Sequence, residues 1–131
     1  MKGYRMVDEL VLKSATELSA LITSGKLSPV EITQSFIDRA HKFNRLNAYI
    51  TLDEEGALRS ARDAEAELSR GAARGPLHGL PIAVKDQFDV KGVRTTAGGN
   101  IVDYVASEDS TAIARLREAG GVLLGKLNLS E

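Results

Sequence analysis

Gly79-Leu80-Pro81-Ile82-Ala83-Val84-Lys85-Asp86-Gln87-Phe88 is the stretch whose reading decides the fold. Ile82-Ala83-Val84 is a short apolar run, bounded by Gly and Pro before it and by charge after it, and reads as a buried strand. The strand ends on Lys85, the kind of side chain that burial penalises most. A loop rich in Gly and Pro, GAARGPLHGLP over 71–81, leads into it. Residues 1–70 read as mainly helical, and 71–131 as the opening of an α/β core.

The helical half carries local start and stop signals. Ser14-Ala15-Thr16-Glu17 has the spacing of a capping box, in which the hydroxyl accepts from the third helical N–H and the carboxylate reaches back to the cap. Leu18, Leu21 and Ile22 then recur at helical spacing, and Gly25 is a natural stop. Ser28-Pro29-Val30-Glu31 repeats the device with Pro in the first turn, where its missing N–H is harmless. Ile32, Phe36, Ile37, Ala40 and Phe43 form the apolar stripe of a second helix. A third helix is expected over about 52–70, with Asp53, Glu54 and Glu55 early and Arg70 late, as the helix dipole favours. Its apolar face, Ala57, Leu58, Ala61, Ala64 and Leu68, is mostly small, which suggests close packing.

Beyond the apolar strand, Asp89-Val90-Lys91-Gly92 reads as a turn and Val93-Arg94-Thr95-Thr96 as a second extended piece. Ala97-Gly98-Gly99-Asn100 is irregular. Asp109-Ser110-Thr111 offers a cap for a helix over 112–119, which Gly120 ends. Val122-Leu123-Leu124 is apolar throughout, as in a parallel sheet. Strand, connection, helix, strand calls for a right-handed crossover.

Composition narrows the functional classes. The net charge is −1 over 131 residues, so no global field favours nucleic acid or an anionic membrane. Aromatics are 5% and Trp is absent, against base-stacking platforms. Cysteine is absent, which removes thiol nucleophiles and thiolate metal sites. His41 and His78 lack ligand spacing, so no metal or other cofactor is expected. No apolar run approaches the ~20 residues of a membrane span, no signal-peptide core follows the N-terminus, and the cytoplasm is the default.

Three features could carry chemistry. Gly120-Gly121-Val122-Leu123-Leu124-Gly125-Lys126 fits G-x-x-x-x-G-K. Leu127 offers no hydroxyl for Mg²⁺, and the pattern follows a helix, so Gly120 reads as a helix stop and Gly125 as a turn after a strand. Thr95-Thr96-Ala97-Gly98-Gly99 could line a polar ligand site, though such clusters are more often turns. Lys85 has two readings. It snorkels into water over its aliphatic stem, or it is a desolvated amine able to act as a base. The second requires its pKa to fall by about three units from about 10.4, a shift that burial can produce. Asp86 would oppose that shift if it faced the amine, but adjacent strand residues point to opposite faces.

GPLHGLPIAVKDQFDVKGVRTTAGG followed by DSTAIARLREAGGVLLGKLNLSE resembles the amidase signature family, which includes bacterial amidases, fatty-acid amide hydrolases and the amide-hydrolysing component of the glutamyl-tRNA amidotransferase. The block around Lys85, the Thr-Thr-Ala-Gly segment and the Gly-Lys-x-Asn-x-x-Glu ending stand in the family's order and spacing. The paired N-terminal helices fit too, so the resemblance covers nearly the whole chain and most strongly 75–131.

The resemblance implies an α/β fold, a mixed sheet covered by helices. It implies a small-molecule amide substrate and a Ser–cis-Ser–Lys triad in which Lys85 takes the place of the base. A bridging serine on a cis peptide relays the proton from the nucleophilic serine, and an acyl-enzyme forms. The family's serines lie downstream of the Gly-Lys-x-Asn block. Ser107, Ser110 and Ser130 lack the right context. The chain is therefore expected to be an incomplete N-terminal segment of one amidase domain, 1–131, inactive by itself, with an open sheet edge that allows self-association. Leu127 and Leu129 are expected to add to its apolar surface. The last residues lean toward the general amidases. The alternative is a standalone, non-catalytic α/β module that binds a protein partner through its open sheet.

Overall fold

The computed structural model describes residues 9–129. Helix α1 (Ala15–Thr23) and helix α2 (Pro29–Lys42) come first, followed by strand β1 (Tyr49–Leu52) and helix α3 (Glu54–Ser69). Strand β2 (Pro81–Lys85), the short strands β3 (Arg94–Thr95) and β4 (Tyr104–Val105), helix α4 (Thr111–Glu118) and strand β5 (Val122–Leu127) complete the order. None of the described helices is long and apolar enough to cross a membrane.

The three-stranded sheet runs β1-β5-β2. Central β5 is parallel to β2 and antiparallel to β1, so the sheet is mixed. β3 and β4 form a separate antiparallel pair. Helices cover both faces. On one, Ile37 of α2 and Ala57 and Ala61 of α3 pack against Val122 and Leu124 of β5. The two alanines are fully buried; a small side chain there lets α3 lie close to the sheet. On the other face, Ile113 of α4 joins Val90 and Leu123, with Ile82 and Val84 of β2 against them. A third cluster, Leu18, Ile22, Ile32 and Leu80, seats α1 beside α2.

Both capping boxes form. Ser14 accepts from the N–H of Glu17 and Ser28 from that of Glu31, while each glutamate reaches back to its cap. Gly25 follows α1 with φ +71, and Gly120 follows α4 with φ +83.

Four expectations are corrected. The helix expected from about residue 52 begins at Glu54, with Asp53 as its cap, accepting from the N–H of Gly56. Leu52 belongs instead to β1, whose Tyr, Ile and Thr are strand formers. Ser110 caps α4 by its backbone alone and makes no side-chain cap bond. Gly125 is no turn: it lies inside β5, where an added Cβ would come 2.1 Å from the carbonyl oxygen of Thr51. Leu127 and Leu129 are half-buried rather than surface, Leu129 lying against Gly98. The β3–β4 pairing is a further element that the residue pattern does not announce.

Pairing between β2 and β5 is interrupted. Ile82 pairs with Leu123 and Ala83 with Gly125, so Leu124 is skipped. A β-bulge of this kind re-aims the residues after it. Lys126 thereby pairs with Val84 and shares a lining with Leu123, on the α4 side of the sheet.

Candidate active site

Lys85 closes β2, and the alternation of the strand sets its direction. Ile82, Val84 and Asp86 point to the α4 side, where Ile82 and Val84 pack and Asp86 is fully buried. Lys85 points the other way, as the period of two requires. Its Nζ donates to the backbone carbonyl of Asn128 at 3.0 Å. Asn128 stands just past the end of β5, and its own N–H donates to the carbonyl of Ala48. The amine is therefore tethered across the carboxyl ends of two parallel strands.

A base at this position was expected to be an amine deprived of water. Lys85 is exposed. It is the last residue of β2, past the partly buried residues 81–84, and among the described residues nothing pairs with the outer side of that strand. Among the described residues, no serine hydroxyl bonds to the amine. Ser110 sits at the start of α4, and Ser107 is exposed in a bend. Ser130 lies outside the described residues.

Behind Lys85 is a buried polar cluster that sequence reasoning missed. Lys126 and Asp86 are both fully buried, and Lys126 Nζ lies 3.1 Å from Asp86 Oδ1. Lys126 also donates to Thr95 Oγ1 at 2.9 Å and to the carbonyl of Arg94 at 3.2 Å. Asp86 Oδ2 accepts from the N–H of Thr96 at 2.9 Å and from the Thr96 hydroxyl. Burial pushes the Asp86 carboxyl upward, but the Thr96 hydroxyl, Lys126 and the Thr96 N–H outweigh it and hold the group below its ordinary value. Thr95 passes the network on to Asp89, which also accepts from the Tyr104 hydroxyl.

This cluster decides two of the three chemical signals. Lys126 is committed to Asp86 inside a strand, so the Gly-Lys pattern is not a phosphate loop. Thr95 and Thr96 are buried partners of that cluster, their hydroxyls bonded within it. One signal was available in the sequence: a lysine continuing an apolar run needs a buried counter-charge, and Asp86 follows the other strand.

Comparison with known proteins gives one family. The family described as Amidase matches residues 31–131. In Salinispora tropica, the A component of the glutamyl-tRNA(Gln) amidotransferase is 46% identical over 94% of this chain, a region that is 26% of that protein. The mitochondrial counterpart of Homo sapiens is 38% identical over 91% of this chain, 23% of its own length. Among solved structures, the peptide amidase of Stenotrophomonas maltophilia superposes with a TM-score of 0.86 at 35% identity, over 92% of this chain and 25% of that one. A crystal structure described as an amidase gives 0.82 at 40% identity, over 91% of this chain and 27% of its own. The chain thus spans about a quarter of the length of the curated relatives it matches.

Proposed function

The chain belongs to the amidase family, and from that premise we propose that the protein carrying it breaks carboxylic amides with Lys85 as the base of a Ser–cis-Ser–Lys triad. The observation that supports this most is the placement of the Lys85 amine, held on the Asn128 carbonyl at the carboxyl ends of parallel β2 and β5. Ligands of open α/β sheets collect at that end of the strands.

In this reading the neutral amine takes a proton from a bridging serine, which takes one from the nucleophilic serine. The nucleophile attacks the amide carbonyl, the amine of the substrate leaves with a proton, and water releases the acid. Serine is a weak nucleophile without an adjacent base, and a desolvated lysine can supply one near neutral pH. The serine pair, the oxyanion donors and the cover that would dry Lys85 are assigned to the rest of the longer protein. The 131 residues alone hold one member of the triad, and a base without oxyanion donors forfeits most of the rate enhancement.

In the intact protein, Lys85→Ala is expected to lower kcat/KM for amide hydrolysis by about 10³-fold or more, with an unchanged far-ultraviolet circular dichroism spectrum. Turnover within tenfold of wild type refutes the assignment. A second reading, the A component of a tRNA-dependent amidotransferase, is favoured by the 46% identity to that relative. It keeps the lysine and differs in needing partner proteins, so turnover of a simple amide by the purified protein alone speaks against it.

A further inference from the structure

The Asp86–Lys126 pair has no part in the mechanism above, yet it is built into the backbone that carries the base. The N–H of Asp86 donates to the carbonyl of Leu127, and the carbonyl of Asp86 accepts from Ala97. Its carboxylate holds both polar groups of Thr96. Ala97 follows at φ +51, a conformation non-glycine residues seldom adopt, and Gly98 then rests against Leu129. Leu129 donates to the side chain of Asn128, and the carbonyl of Asn128 holds the Lys85 amine. The contacts close a ring: Lys85, Asp86, the 96–98 loop, Leu129, Asn128 and back to Lys85.

The ring also carries charge. A lone carboxylate one residue from the base would stabilise its ammonium form and work against proton acceptance. Lys126, reaching Asp86 from β5, supplies the opposite charge. Resting on the reading of Lys85 as the base, we propose that Asp86 and Lys126 are positioning residues for it: they lock the ring that carries the amine and cancel each other's field there.

Other charged groups face this pair. On the β3–β4 side are Asp89, Arg94 and Tyr104, with the Arg94 guanidinium taken up by Asp103. Asp53, Arg59, Lys91 and Arg117 line the cavity of about 150 Å³ that reaches Lys126. The variants change neither the identity nor the number of these groups, so a charge effect of the pair is read as a difference between variants.

The test uses the intact protein with Lys126→Met, Asp86→Asn and the double variant. Two readouts are taken: the acid limb of the kcat/KM profile, and the pH at which the Lys85 amine becomes reactive to an acylating reagent, followed by peptide mapping. In Lys126→Met the carboxylate keeps its Thr96 partners and loses the opposing charge, and both readouts are expected to move to higher pH by about one unit. In Asp86→Asn, Lys126 keeps the Thr95 hydroxyl and the Arg94 carbonyl, and both readouts move to lower pH. The double variant returns both toward wild type. Uniform loss of kcat/KM with neither readout moving, or both single variants moving the same way, overturns the proposal. If Lys126→Met does not fold, Asp86→Asn and the double variant decide by the same signs. The labelling readout needs no turnover, so it still judges the pair if Lys85→Ala shows that Lys85 is not the base.

Discussion

Gly125 lies where β1 meets β5 with no room for a side chain. A Cβ there would sit 2.1 Å from Thr51 O and 3.0 Å from Leu52 Cα. Both are backbone atoms, so relief requires the strands to part. Gly125→Ala is expected to destabilise the intact protein by about 2–4 kcal/mol, seen as a lower urea midpoint; an unchanged midpoint would mean that β1 does not pair as described. The neighbouring Lys126 shows where residue-scale reading stops. That Lys85 and Asp86 face opposite sides follows from the strand period alone, and it holds. That Lys126 turns toward Asp86 depends on the skipped Leu124, and a bulge is set by how three strands fit together, not by the order of residues within one. Lys85 was legible as the charge that ends the apolar strand, with a snorkelling and a desolvated reading. Its exposure agrees with the first, and the choice between them depends on what packs over the end of β2, which the strand's own residues do not state.

At the scale of elements, the helix ends were the most legible features, because capping is local chemistry. Ser28 illustrates it: its hydroxyl accepts from the N–H of Glu31 at 3.1 Å, and Glu31 returns a bond to the Ser28 N–H at 2.9 Å. Ser28→Ala removes an acceptor that an alanine cannot replace, and is expected to destabilise by about 1 kcal/mol. Ser110→Ala is the natural control, since Ser110 makes no side-chain cap bond to α4. Equal losses in chemical denaturation of the two variants would show that the Ser28 cap is not what stabilises α2. The short strands were less legible for the same reason in reverse. β1 and the two-residue β4 have too few residues to display a period, and the partner of β1, β5, lies far along the chain.

The whole molecule is a sheet with α2 and α3 on one face, α4 on the other, and its two outer strands each free along one side among the described residues. The α/β class was legible from the switch between helical and strand-like composition near Gly71. The strand order was not, because β1 and β5 are brought together only by the folding of everything between them. Unpaired N–H and C=O groups along β2 and β1 form a template for another strand. Apolar side chains are exposed as well: Leu46 is 66% exposed just before β1, and in the separate β3–β4 region Val105 of β4 is 65% exposed and Ile101 fully so. The net charge of −1 gives little repulsion between copies. The 131-residue chain in isolation is therefore expected to self-associate through its sheet edges. Sedimentation should show species larger than the 14.1 kDa monomer growing with concentration, and a hydrophobic dye should bind. Strand pairing predicts that about 1 M salt leaves the association intact, whereas association through surface ion pairs would weaken. A monomer at every concentration, dark to the dye, would mean that these edges are already protected.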